Sequence, residues 1–173
     1  AYKFGTKNGE LEFTMTVVVI GAGAAGLIAA GTAAQYADKV ILIEKNDKVG
    51  KKLRITGKGR CNITNACEIE DMISMYPVNG KFLYSALYTF TNDDIVALLN
   101  EYGVSTKVER GGRVFPVSDD ARDVVDAMRR YALKDNVKLV KDTVTGLIVS
   151  DNKIMGVKTS KRKIKCDRVI LCS

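Results

Sequence analysis

The stretch from Val17 to Glu44 limits the fold more than any other part of the chain. It opens with Val17-Val18-Val19-Ile20, turns through Gly21-Ala22-Gly23-Ala24-Ala25-Gly26, passes through an alanine-rich segment and ends with Val40-Ile41-Leu42-Ile43-Glu44. A short β-branched run, a glycine turn, a helical segment and a second apolar run make a βαβ unit. Each glycine of the G-x-G-x-x-G spacing has a mechanical role. Gly21 permits the tight turn off the strand, Gly23 lets a pyrophosphate approach the backbone, and Gly26 lets the helix lie close to the strands. The helix N-terminus then offers unpaired N–H groups to phosphates. Glu44 stands about 20 residues beyond the glycines, where a carboxylate accepts a ribose hydroxyl and disfavours a 2′-phosphate, so NADP is a poor occupant. The bland alternative is a glycine turn in an ordinary core with Glu44 solvated, and it must account for four coincident requirements.

At 173 residues the chain suits one domain, or one lobe of a larger protein. The formal charge is +7 and histidine is absent, which removes histidine as an acid or base. The excess charge gathers in two groups. Lys48, Lys51, Lys52, Arg54, Lys58 and Arg60 follow the βαβ unit and suit phosphates, whereas Lys161, Arg162, Lys163 and Lys165 read as a solvated hairpin end. No aromatic-rich basic face supports nucleic-acid readout, so no nucleic acid is expected as partner. Cys61, Cys67, Cys166 and Cys172 form no C-x-x-C pair, and no metal ligands are named. With no secretory signal and no apolar run of membrane-spanning length, free thiols in a cytoplasmic protein, without a membrane partner, are the simplest reading.

Taken in order, segment 1–14 is polar and without periodicity. Met15 precedes the first strand, and Glu10-Leu11-Glu12-Phe13 resembles translated cloning sites, so 1–14 is expected to be vector-derived or flexible. Strands are expected at 16–20 and 40–44, with a helix over 24–36. The long segment 45–66 reads Gly50-Lys51-Lys52-Leu53-Arg54-Ile55-Thr56-Gly57-Lys58-Gly59-Arg60-Cys61-Asn62-Ile63-Thr64-Asn65, too particular in residue type for a linker. Gly57 and Gly59 would admit a planar ligand, or the segment is a solvated basic loop. Helices broken near 77–80 follow, with Thr91 or Asn92 capping one of them. A hairpin over 104–117 turns at Gly111-Gly112, and Ser118 caps a helix over 119–134. Short strands at 137–140, 144–150, 154–159 and 163–165, with a turn at Asp151-Asn152, lead to a last strand at 168–172.

This order resembles the FAD-binding half of the two-dinucleotide-binding flavoproteins: α/β, a Rossmann-like parallel sheet with crossover helices and a three-stranded β-meander. Gly57-Lys58-Gly59-Arg60-Cys61-Asn62-Ile63-Thr64-Asn65 and Gly111-Gly112-Arg113-Val114-Phe115-Pro116-Val117-Ser118 are similar to motifs of the bacterial NAD(P)/FAD-dependent oxidoreductases labelled aminoacetone-oxidase-like, which include bile-acid reductases. The resemblance covers 15–173. It implies that Gly21, Gly23, Ala24, Ala25 and Gly26 hold the FAD pyrophosphate and that Glu44 and Lys45 hold the adenosine ribose. It further implies Arg54, Thr56, Gly57, Arg60, Cys61 and Asn62 along the flavin, Val144 meeting the adenine through its backbone, and the strand ending at Ser173 returning to the phosphates. Such proteins are about twice this long. The resemblance therefore also implies glycines after Ser173, an inserted substrate domain, a C-terminal segment, and self-association through the face these would cover.

The function so implied is hydride transfer through FAD to or from a small molecule, with NAD(P)H a candidate partner and no catalytic residue visible. One alternative is a thiol-disulfide flavin reductase using Cys61 and Cys67, although five residues separate them where such enzymes have four. Another is a non-catalytic nucleotide-binding fragment.

Overall fold

The computed structural model describes residues 3–7 and 10–172. The chain forms two compact units, one built from the residues up to Lys52 together with those from Met128 on, the other from Leu53–Ala127.

The first unit is built on a four-stranded, all-parallel sheet. Its strands are β3 (Thr16–Ile20), β4 (Lys39–Glu44), β8 (Val137–Lys141) and β12 (Arg168–Leu171), in the order β12-β3-β4-β8. Val17, Val18 and Val19 pair with Val40, Ile41 and Leu42, and again with Arg168, Val169 and Ile170. The two inner strands, β3 and β4, are buried on both faces, and for that reason they read as unbroken apolar runs instead of alternating. On one face Val18, Ile41, Ile43 and Val140 close a core with Val157 and Cys166. Val157 belongs to a three-stranded antiparallel meander, β9 (Val144–Ser150), β10 (Lys153–Thr159) and β11 (Lys163–Lys165). Asp151 and Asn152 turn β9 into β10 with φ of 50° and 57°, the left-handed pair that a tight hairpin needs.

Helix α1 (Ala24–Ala33) follows β3 and contacts both β3 and β4. Its buried side is Gly26, Leu27, Ala30 and Gly31, mostly residues too small to hold the helix off its neighbours. At Gly31 an added Cβ would lie 2.2 Å from the Tyr131 ring, whose hydroxyl meets Thr32 Oγ1 at 3.0 Å. The helix stops three residues short of the expected end at Tyr36, its last turn continuing as Gln35 N–H and Tyr36 N–H bonds to Thr32 and Ala33 carbonyls.

Of segment 1–14, residues 3–7 and 10–14 are described. Strands β1 (Lys3–Lys7) and β2 (Glu10–Thr14) pair as an antiparallel hairpin, with Lys3 opposite Thr14 and Lys7 opposite Glu10.

The second unit carries a small antiparallel sheet of β5 (Thr64–Asn65), β6 (Thr106–Glu109) and β7 (Arg113–Pro116), ordered β5-β7-β6. Helices α2 (Ile69–Ser74), α3 (Tyr84–Thr89) and α4 (Asn92–Glu101) lie between the strands in sequence. Thr91 caps α4 reciprocally: Asp94 N–H donates to Thr91 Oγ1 at 3.1 Å and Thr91 N–H donates to Asp94 Oδ2 at 2.7 Å. Asn92 Nδ2 donates to the carbonyls of Asn65 and Cys67, tying the start of α4 to β5. Helix α5 (Ala121–Ala132) begins later than expected, and its cap is Asp120. Asp120 Oδ1 accepts the Arg122 N–H at 2.8 Å, whereas Ser118 Oγ reaches only the Asp120 N–H at 3.4 Å.

Candidate nucleotide site

The turn between β3 and α1 is held by backbone geometry and by one carboxylate. Gly21 has φ +97° and donates its N–H to the Ile43 carbonyl at 2.8 Å. Gly26 is in contact with the turn itself: a Cβ there would come within 1.7 Å of the Gly21 carbonyl oxygen. Gly23, the residue before α1, is the opposite case. An added Cβ meets nothing within 4 Å, so its missing side chain leaves open space. The first N–H groups of α1 point along the helix with no intrahelical acceptor. The cradle therefore fits a pyrophosphate at Gly23, Ala24, Ala25 and Gly26.

Glu44 ends β4 and is 92% buried. Its Oε2 accepts the Ala22 N–H at 2.7 Å. Its Oε1 accepts two donors of Asn46, the backbone N–H at 2.8 Å and Nδ2 at 2.6 Å. Burial pushes this carboxyl up, but the hydrogen bonds from Asn46 and Ala22 outweigh that and hold it below its ordinary value of 4.5. Oε2, with a single donor, keeps a lone pair for a further hydroxyl. Glu44 is therefore the latch of the glycine turn as well as a ribose candidate. The part of Asn46 was not legible, since nothing about an asparagine two positions past a strand marks it as a carboxylate clamp. Lys45, beside Glu44, is exposed. Val144 opens β9 near this strand end, where the Asp142 N–H donates to the Glu44 carbonyl at 3.1 Å, and its side chain packs into the core. Ser173 lies outside the described residues.

The remaining sequence candidates belong to the second unit. Residues 53–59 form a 3₁₀ turn with a kink, in which Gly57, Lys58, Gly59 and, beyond it, Cys61 all have positive φ. Cys61 N–H donates to the Thr56 carbonyl at 3.0 Å, and Thr56 Oγ1 donates to the Leu53 carbonyl at 3.0 Å. The close approach anticipated at Gly57 is made by Phe115, whose ring edge lies 2.7 Å from where a Cβ would stand. Arg60 sits on the same ring, 4.1 Å from its centroid, and donates to Glu109 at 2.8 Å and Asp119 at 3.3 Å. Those partners raise its already high pKa, Glu109 first. Lys107 completes the network at 2.6 Å from Asp119. Asn62 is exposed. Arg54 presents a buried Nε with no acceptor among the described residues, a donor in need of a partner.

Cys61 and Cys67 are both free thiols. Cys61 is fully buried, and desolvation raises its pKa against a smaller opposing hydrogen bond with Thr56. A reactive thiolate needs the reverse environment, so the geometry speaks against a redox pair here.

Residues 15–173 match the HI0933-like protein Rossmann domain. The chain belongs to that family. Among relatives, it is 29% identical over 157 residues to the ribosomal RNA dihydrouridine synthase of Escherichia coli, covering 90% of this chain and 38% of that protein. It is 30% identical over 155 residues to the 3-dehydro-bile acid delta(4,6)-reductase of Clostridium scindens, covering 88% and 37%. The chain thus spans under two-fifths of the length of these family relatives. The Mycobacterium smegmatis Sdh1 complex shares the fold, with TM-score 0.63 and 20% identity over 92% of this chain and 33% of that one.

Proposed function

We propose that this chain is the FAD-binding part of a FAD-dependent oxidoreductase that adds hydrogen across a carbon–carbon double bond. The observation that carries the cofactor assignment is the pairing of open space at Gly23 with a buried carboxylate, Glu44, hydrogen-bonded to the N–H next to it. The double-bond chemistry is carried over from the names of two relatives, a ribosomal RNA dihydrouridine synthase and a 3-dehydro-bile acid delta(4,6)-reductase. Reduced nicotinamide is the proposed electron source.

Bound FAD would supply the hydride chemistry at its flavin ring. The chain's own residues do the holding. The amides at the start of α1 would hold the pyrophosphate, Glu44 Oε2 would accept a ribose hydroxyl beside the Ala22 N–H, and the backbone at Val144 would meet the adenine. All of these residues belong to the first unit.

This division makes the ADP half of the cofactor the part that the first unit recognises. In calorimetric titrations of the chain, FAD and ADP should bind comparably, while FMN should show no binding at the same concentration. FMN binding as well as FAD, or ADP failing to bind at all, would overturn the assignment. A longer protein carrying this chain should purify with a flavin absorption band.

A further inference from the structure

The meander has an outer face that neither the core nor the nucleotide site uses. Residues paired directly across an antiparallel sheet share a face. Lys158 pairs with Lys163 on one side and Gly146 on the other, Gly156 pairs with Lys165 and Ile148, and Lys153 pairs with Ser150. Val157 and Ile164, one residue out of step with Lys158, Lys163 and Lys165, pack in the core, and across the bulge between Ile154 and Gly156 so does Ile154, the neighbour of Lys153, so these lysines point away from it. All four lysines are exposed. The face has no carboxylate, and among the described residues none of the four makes an ion pair. Residues 143–168 hold seven Lys and Arg against two Asp, which is most of the chain's net charge of +7.

This arrangement does nothing for folding. Lys158 and Lys163 stand directly opposite one another, a pairing that destabilises a sheet. Lysines on an edge strand guard against sheet-to-sheet association, which would account for Lys163 and Lys165 on β11. It does not account for Lys153 and Lys158, which lie on the central strand β10. A protein partner would want aromatic or arginine anchors, and a membrane would want apolar residues to insert; this face has only the half-buried Ile148. Gly146, opposite Lys158, has open space where a side chain would stand, so a polyanion can approach the sheet beside that lysine. Along β11 the ammonium groups recur at roughly 7 Å, two residues of a strand.

We propose that this outer face docks the phosphodiester backbone of RNA, through Lys153, Lys158, Lys163 and Lys165. It deepens the function proposed above by favouring the RNA substrate class, and it revises the expectation that the second basic group is merely solvated. Lysines without aromatic neighbours position a backbone without reading its bases.

The test is fluorescence anisotropy with a labelled, mixed-sequence single-stranded RNA and no flavin present. The wild-type chain should bind with a steep salt dependence. Changing Lys158, Lys163 and Lys165 together to Gln should weaken binding at least tenfold at low salt and lower the log–log salt slope by about 2. Changing Lys39, Lys81 and Lys138 to Gln removes the same charge elsewhere and should leave both within twofold. Equal losses in the two variants, or wild-type RNA affinity in the first, would overturn the proposal. So would vesicles of anionic lipid binding in place of RNA. Circular dichroism and the ADP titration show separately whether a variant is folded and whether the cofactor reading stands.

Discussion

At the scale of single residues, Glu44 does two jobs with one carboxylate. The Ala22 amide has the Glu44 oxygen as its partner, so the ionised carboxylate stabilises the turn itself. Its folded-state pKa lies below 4.5, so folding favours the charged form. The stabilisation is therefore present above that value and is lost as pH falls through the folded pKa. Glu44→Gln should cost roughly 1–3 kcal/mol near neutrality, the range for weakening a buried charge-assisted bond. It should also flatten the acid limb of a plot of stability against pH, measured by urea denaturation. Parallel wild-type and variant curves would show that the charge is not used. In the ADP titration the same variant should lose at least tenfold in affinity. Glu44 stood out in the sequence through its spacing, but its partners did not, because a hydrogen bond to Ala22 N–H and another to Asn46 depend on how a turn and a strand end meet.

At the scale of elements, the glycines of the β3–α1 turn separate into two kinds. Gly23→Val should leave the melting temperature within a few degrees, because nothing surrounds its Cβ position, and should abolish ADP binding by filling the phosphate space. Gly26→Ala sets a methyl against the Gly21 backbone carbonyl, which cannot swing aside as a side chain would, and should destabilise the unit by at least several kcal/mol. Thermal melts of the two variants decide the matter, and similar melts would contradict it. The βαβ unit was legible because both faces of β3 and β4 are buried, so the apolar pattern had no competitor. The 53–61 turn was not. Lys58 and Cys61 adopt positive φ through their surroundings, and neither residue type advertises it. The strand expected at 137–140 was found, but only the register with Val40–Glu44 reveals that it extends the parallel sheet.

At the scale of the molecule, residues 75–90 stand apart in composition. Lys81 is their single charge, and Met75, Val78 and Phe82 are 71%, 74% and 86% exposed. An apolar surface of this kind drives association. Sedimentation velocity should show the apparent mass rising with concentration, and Val78→Ser with Phe82→Ser should restore a monomer; a wild-type monomer at all concentrations would contradict this. Among the described residues no helix is long and apolar enough to cross a membrane.

The position of β3 in its sheet has a consequence in time. Its partner on one side, β4, follows within 30 residues, but its partner on the other, β12, begins at Arg168, and the bond from Thr16 N–H to Asp167 Oδ2 spans 151 residues. During synthesis at about 5–20 residues per second, β3 waits roughly 6–25 s between the emergence of β4 and that of β12. For that interval a strand of valine and isoleucine has one unpaired side, and the nascent chain offers it to any other strand nearby. The ribosome and the chaperones around its exit therefore meet the sheet while one of its two inner strands is still an edge.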